Sequence, residues 1–439
     1  MIFFFIFIIL KIFSVYSYSN VLNSNFGVIN VKGADAIQFL HALSTNDISS
    51  AKFNDVVPSM LLNGKAKCIS YFRCLIDSKD SLRLICDDSN ATSNLLEYLV
   101  KYRFPLDKVQ LDDITDDYKT LCISSSTSSS FSKMKDSLNL NSIENNCFVE
   151  RDFGTIISGD GGLSSSLSSS SSSTNADNYT LLVKCEKWIE FKNQLNLEEE
   201  ENDENDYEFS RILAGKPKFP NEINEDRCPL DLGLLPALHF EKGCFTGNEI
   251  LQKRVQRPIP QRLCTFTLNI DPSSVSVSAS KLKSVLSSLL NVFMNKESET
   301  EIKNEVVILD QENKVVGEVT STATSHSTRD EDKDNVIGLC LIQRTSLDNA
   351  KNTDYKLSMR NSSTKEVDID INLPIDINKS GYAKYNLEQA AHSPKAQSVL
   401  ETKKMLKSSQ EELLEIKRKE EKMKAMMEKV AKLQALKNK

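Results

Sequence analysis

Two glycines four residues apart, Gly243 and Gly247, bracket a cysteine in the octet Lys-Gly-Cys-Phe-Thr-Gly-Asn-Glu at 242–249. Glycine accepts positive φ and lets other backbone approach closely, so the octet is expected to form a tight, exposed turn. Cys244 stands near its apex, and a cation as close in sequence as Lys242 favours the thiolate. From Glu249 the run Glu-Ile-Leu-Gln-Lys-Arg-Val reads as the start of a helix or short strand. On spacing alone, a surface turn with an incidental thiol fits equally well.

The residues themselves say more. The octet resembles the signature Lys-Gly-Cys-Tyr-x-Gly-Gln-Glu of the YgfZ-type folate-binding proteins, relatives of the glycine cleavage T-protein (aminomethyltransferase). Lys242, Gly243, Cys244, Gly247 and Glu249 occupy its fixed positions. Phe245 stands for the tyrosine, and Asn248 replaces the glutamine with an amide one methylene shorter. A second landmark resembles the same family's opening: Gly33, Phe39, Leu40, His41, Thr45, Asn46 and Asp47. Arg211, Gly215, Pro217, Glu222, Pro229, Leu230 and Gly233 keep the family's order and spacing on the approach to the signature. Val-Gly-Glu-Val-Thr-Ser at 316–321 resembles a strand of its C-terminal barrel. The resemblance covers most of 26–268 apart from insertions, and the Asp-Lys-Val passage at 107–109 is most similar to the plastid branch.

The resemblance implies an α+β fold with T-protein-like folate-binding lobes around a central cleft, a small C-terminal β-barrel and a helical C-terminal tail. The expected divisions are a targeting segment at 1–19, the folate-binding region at 20–257, the barrel at 258–375 and the charged tail at 395–439. It implies that Cys244 and Lys242 carry the chemistry. Thr45, Asn46, Asp47, Arg211, Gly243, Gly247, Asn248 and Glu249 would shape the loop and line the site for tetrahydrofolate or a derivative. The implied role is in iron–sulfur cluster assembly or repair, with transient contact to a cluster and with assembly or client proteins as partners. No resident metal is expected.

One departure separates this chain from the transferases of the same superfamily. Val56–Ile76 is expected to be a hairpin turning at Asn63-Gly64, a strong short-range hairpin signal. The T-protein carries a catalytic aspartate just after this turn, whereas here the residues are Lys65-Ala66-Lys67-Cys68-Ile69-Ser70. A folate-dependent aminomethyl or one-carbon transferase needs an acid or base there. The alternatives to the accessory role are therefore that transferase and a non-catalytic adaptor on the same fold.

Elsewhere the pattern predicts a strand near Val28–Val31, a helix through Gln38–Leu43, a strand at Ser81–Cys86 and a helix at Ala91–Tyr102. A strand at Asn178–Cys185, a helix at Trp188–Leu195 and a helix at Tyr207–Gly215 follow. Strands at Gln261–Leu268, Glu305–Leu309, Val315–Thr320 and Val336–Ile342 have barrel-like spacing. The serine runs Ser124–Ser130 and Ser164–Ser173 and the acidic run Glu198–Asp206 bury too little apolar surface to fold by themselves and read as surface loops. Ser273–Lys296 reads as a helical insertion.

The 439 residues suffice for two or three domains, and a net charge of −7 does not point to a nucleic-acid partner. Residues 395–439 carry 13 basic and 7 acidic side chains, +6 net, leaving −13 for the rest. This stretch lacks glycine and proline, so a long basic helix is expected, either solvated or docking a protein or anionic membrane. None of the ten cysteines forms a C-x-x-C pair and the four histidines do not cluster with them, which argues for a reducing compartment rather than a zinc site or disulfide framework. The apolar Ile2–Leu10 is too short to span a bilayer and resembles a signal-peptide core. A signal-peptide-led leader to an apicoplast-type plastid reconciles it with free thiols; a mitochondrion is the alternative.

Overall fold

The computed structural model describes residues 21–123, 134–159, 179–195, 204–268, 306–310, 312, 314–324, 336–346 and 358–361. The chain divides into a unit Met1–Lys384 and a second, Tyr385–Lys439, which lies outside the described residues with the expected tail helix. The leader, both serine runs and the insertion at 273–296 also lie outside them.

Among the described residues, the first unit has three antiparallel sheets. Its elements begin with β1 (Val21–Ser24), β2 (Gly27–Lys32), α1 (Ala36–Leu43), β3 (Val56–Leu62), β4 (Cys68–Ser78), β5 (Ser81–Cys86), α2 (Ser89–Tyr102) and β6 (Gln110–Asp113). The first sheet has the order β3-β4-β5-β2-β6. Period-two alternation gives each strand an apolar outer face, carried by Ile29, Val31, Phe72, Cys74, Leu82 and Leu84. Phe39 and Leu40 of α1 and Leu95 and Leu99 of α2 cover that face. Helix α2 starts where Asp88 accepts the Ala91 N–H at 2.8 Å, an N-cap bond.

The second sheet, β1-β7-β10-β9-β8, adds β7 (Tyr118–Ile123), β8 (Phe148–Arg151), β9 (Gly154–Ser158) and β10 (Tyr179–Lys184). Its inner face, with Leu22, Cys122, Phe148, Ile157 and Leu182, packs on Val28, Val56, Leu75 and Ile85 of the first sheet. Two buried arginines cross this interface, Arg73 to the Thr180 hydroxyl at 3.1 Å and Arg83 to that of Thr155 at 2.7 Å. The outer face packs under α3 (Trp188–Leu195) through Phe191. The order helix, sheet, sheet, helix thus encloses three apolar layers.

Helix α4 (Glu204–Leu213) packs against β1 on one side and the third sheet on the other. It begins three residues before the expected Tyr207, so the end of the acidic run is helical rather than loop; carboxylates suit a helix N-terminus. Gly215, at φ +73°, ends it as expected. After α5 (Asn248–Val255), the third sheet has the order β11-β14-β13-β12-β15, from β11 (Gln261–Leu268), β12 (Val306–Leu309), β13 (Val315–Thr324), β14 (Val336–Gln343) and β15 (Ser358–Asn361). Among the described residues no pairing joins β11 to β15, the step that would close the expected barrel.

Candidate functional site

The 242–249 loop is held from within and from below. Gly243 and Gly247 have φ of +100° and +83°, the left-handed region that glycine enters without a Cβ penalty. The Asn248 side-chain amide donates to the Gly243 carbonyl at 2.9 Å, and its backbone N–H to the Phe245 carbonyl at 3.1 Å. A Cβ on Gly247 would lie 2.6 Å from the Asn63 carbonyl and 3.0 Å from Ala66 Cα, so the loop rests directly on the β3–β4 turn. Phe245 is buried beneath, while Cys244 is exposed. Glu249 stands in the first turn of α5, whose N-cap position is Gly247.

Lys242 reaches back to the first helix. Its ammonium donates to the carbonyls of His41 and Ser44, the latter at 2.5 Å, at the C-terminal end of α1. Those carbonyls have no partner within their own helix and carry the negative end of its dipole, so a cation is favoured there. Burial pushes the Lys242 amine down to about 8, with Asp47 opposing. Lys242 thus latches the loop to α1, a contact the sequence did not suggest.

Thr45 and Asn46 are likewise spent on backbone. The Thr45 hydroxyl donates to the Ala237 carbonyl at 2.6 Å and accepts the Met60 N–H at 3.0 Å. The Asn46 amide donates to the carbonyls of Pro58 at 2.7 Å and Pro236 at 2.9 Å. Together they staple the segment leading to the loop onto β3. Asp47 accepts from the Ser49 hydroxyl at 2.8 Å and lies 3.4 Å from His41 Nδ1. Burial would raise the Asp47 carboxyl, but the hydrogen bonds from Ser49 and Ser50 hold it at about 2. Burial and then the Lys242 charge lower His41.

Arg211 belongs to a second cluster. It is fully buried, 2.8 Å from Glu208 and 3.6 Å from the buried Glu222, and donates to the Lys216 carbonyl at 2.5 Å. Its partners and those of Asp47 do not overlap among the described residues, so the two predicted ligand residues are not brought onto one group. Lys218 bridges Glu208 at 2.9 Å and Asp88 at 3.3 Å, and Lys216 lies 2.9 Å from Asp87. Asp87, Asp88, Tyr207, Glu208 and Lys218 line a cavity of about 240 Å³. Tyr207 stacks edge-on to Phe26 at 5.6 Å, and its buried hydroxyl has no partner among the described residues.

No family model matches the chain. It is 24% identical over 257 residues to an aminomethyltransferase of a Thermoanaerobacter species, covering 56% of this chain and 66% of that protein. It is 25% identical over 253 residues to a chloroplastic Arabidopsis thaliana protein described as a candidate transferase, covering 56% and 55%. The matches thus span less than two thirds of these relatives' own length. The crystal structure of the glycine cleavage system aminomethyltransferase T from Bartonella henselae superposes with a TM-score of 0.54 and 15% identity, over 78% of this chain and 82% of that one. The fold is the aminomethyltransferase fold.

Within the aminomethyltransferase fold, the hairpin under Gly247 departs from the turn expected of it. Its turn runs over five residues, Asn63–Lys67, instead of the two expected from Asn-Gly. The Asn63 carboxamide accepts the N–H groups of Lys65 at 3.0 Å and Lys67 at 3.1 Å, and the positive φ falls on Ala66. Ser70, beyond the turn, is buried, its hydroxyl unpartnered among the described residues, and no carboxylate stands between Gly64 and Ser70 in the sequence. Sequence reasoning missed Asp87, Tyr207, Lys216 and Lys218. The available signals were an Asp-Asp pair closing a strand and two lysines flanking Pro217, each of which reads by itself as a capped turn.

Proposed function

We propose that this chain is a folate-binding accessory protein for iron–sulfur cluster assembly or repair, working through the Cys244 thiol. One observation carries the reading: Cys244 is exposed on a loop whose neighbouring polar groups, Lys242 and Asn248, are committed to backbone carbonyls. The thiolate is the nucleophilic and metal-binding form of cysteine, and a rigid mount presents it to something arriving from solution. Cys244 alone would not retain a cluster, which normally takes four protein ligands, so the cluster is cargo and contact is transient.

The folate derivative implied by the fold is matched by the cavity beside α4. Tyr207 lines this cavity, packs edge-on against Phe26 and has a buried hydroxyl without a hydrogen-bond partner among the described residues. Buried polar atoms are seldom left unpaired, which supports Tyr207 as a ligand contact. Asp87, Asp88 and Glu208 add acceptors for ring N–H groups. A bound folate would supply one-carbon chemistry; these residues would bind and orient it.

The test is complementation of a strain lacking its YgfZ protein. Wild type should rescue and Cys244→Ser should not; full rescue by the serine variant would sink the thiol mechanism and leave the adaptor. Tetrahydrofolate titration of the purified protein tests the cofactor separately, and absence of saturable binding removes it. An apicoplast-type plastid remains our proposed compartment, checked by imaging a fusion of residues 1–60, where a secretory or cytosolic pattern would defeat it. The similarity to aminomethyltransferases favours a second reading, a one-carbon transferase. It needs an acid or base that the Gly64–Ser70 segment lacks, and turnover in an aminomethyl-transfer assay would establish it.

A further inference from the structure

A larger cavity, about 380 Å³, lies in the second sheet's outer layer, lined by none of the residues of either cluster above. This is within the usual range for small-molecule sites. Phe153 and Phe191 form one wall, with ring centroids 4.7 Å apart and planes at 45°. Arg151, at the end of β8, lines the cavity and has no carboxylate partner among the described residues. The other charges at the rim are accounted for differently: Lys187 is paired with Glu190 at 3.0 Å, and Asp152 is exposed. Asn139 and Gln194 add amides that can donate or accept.

An aromatic wall and a guanidinium unpaired among the described residues favour, in one cleft, a particular ligand chemistry. Aromatic faces and edges attract flat rings. The guanidinium fork matches carboxylate or phosphate oxygens two at a time, and gains most where solvent is partly excluded. We propose that this cleft binds a small molecule joining a flat ring to one carboxylate or phosphate group, at a site separate from the Cys244 loop. Phe191 also stacks on Trp188, with centroids 6.3 Å apart and planes at 26°, and Trp188 is the chain's only tryptophan. Tryptophan emission, excited selectively over tyrosine, therefore reports from beside the cleft and nowhere else.

The experiment titrates the full-length protein with phenyl phosphate, following Trp188 emission and, in parallel, heat by calorimetry. Phenol and inorganic phosphate are titrated separately as the two halves. Phenyl phosphate should saturate, each half should bind at least tenfold more weakly, and Arg151→Gln should weaken phenyl phosphate at least tenfold with an unchanged melting temperature. No saturable signal in either readout, or equal affinity in Arg151→Gln, overturns the site. Phosphate binding as tightly as phenyl phosphate overturns the ring component. Rescue by wild type and loss with Cys244→Ser are independent of each of these outcomes, so this proposal and the thiol mechanism fail separately.

Discussion

The Lys242 ammonium lies 2.5 Å from the Ser44 carbonyl, so the lysine of the octet ties the loop to the end of α1. Lys242→Met should therefore cost about 1.5–3 kcal/mol of stability, the range for hydrogen bonds involving a charged group. The pH profile of Cys244 alkylation by iodoacetamide should superpose on that of wild type. A profile displaced in the variant would restore the lysine to the role of activator.

The loop's internal clasp is the amide of Asn248 on the Gly243 carbonyl. Asn248→Ala removes it and should lower stability by about 0.5–1.5 kcal/mol, while Asn248→Gln keeps an amide and should lose less. Amide hydrogen exchange over 243–248 is the measurement. Faster exchange in the alanine variant alone is expected, and equal exchange in all three proteins would show that the clasp is idle.

The two glycines should respond differently to alanine. At Gly247 an added Cβ meets the Asn63 carbonyl at 2.6 Å besides the positive φ, so Gly247→Ala should cost about 2–4 kcal/mol. At Gly243 nothing lies within 4 Å of an added Cβ, so only the conformational cost applies, about 1–2 kcal/mol. Chemical denaturation of both variants gives the ordering, and the reverse order would contradict the packing of loop on hairpin.

Acid should act through Glu208. Burial would raise this carboxyl, but Arg211 and Lys218 bring it to about 2 from 4.5. A lowered folded-state value contributes stability that is present above about pH 4.5 and lost as pH falls towards 2. At ~1.4 kcal/mol per unit, discounted for partial exposure, that contribution is about 2 kcal/mol. Glu208→Gln should be less stable at neutral pH and show a shallower loss between about pH 4.5 and 2 in urea melts. Parallel curves would place the acid sensitivity elsewhere.

Elements with a local pattern were legible in the sequence. Trp188–Leu195 and Gln261–Leu268 form at the expected bounds, and α2 begins two residues before Ala91 because Asp88 caps it. Strands β1, β7, β8, β9 and β15 escaped; Val21–Ser24, Phe148–Arg151 and Ser358–Asn361 are four residues each and too short to show alternation. In the candidate site, the residues near Cys244 could be picked out, but their partners could not. Nothing local says that Thr45 will meet Ala237 or Asn46 will meet Pro236, contacts made across about 190 residues of chain. The same holds for Asp87 with Lys216, whose pairing exists only once the two sheets and α4 are assembled.

Thr45, Asn46 and Lys242 each end on main-chain carbonyls, and Gly247 on the backbone of a turn. These contacts ask for a shape and are indifferent to what the thiol does. A proteome searched with the octet would thus retrieve every chain that keeps this bracket for a cysteine, whatever reaction is mounted on it. Sorting such chains by activity would have to begin with the opposing hairpin, where this one carries Ser70.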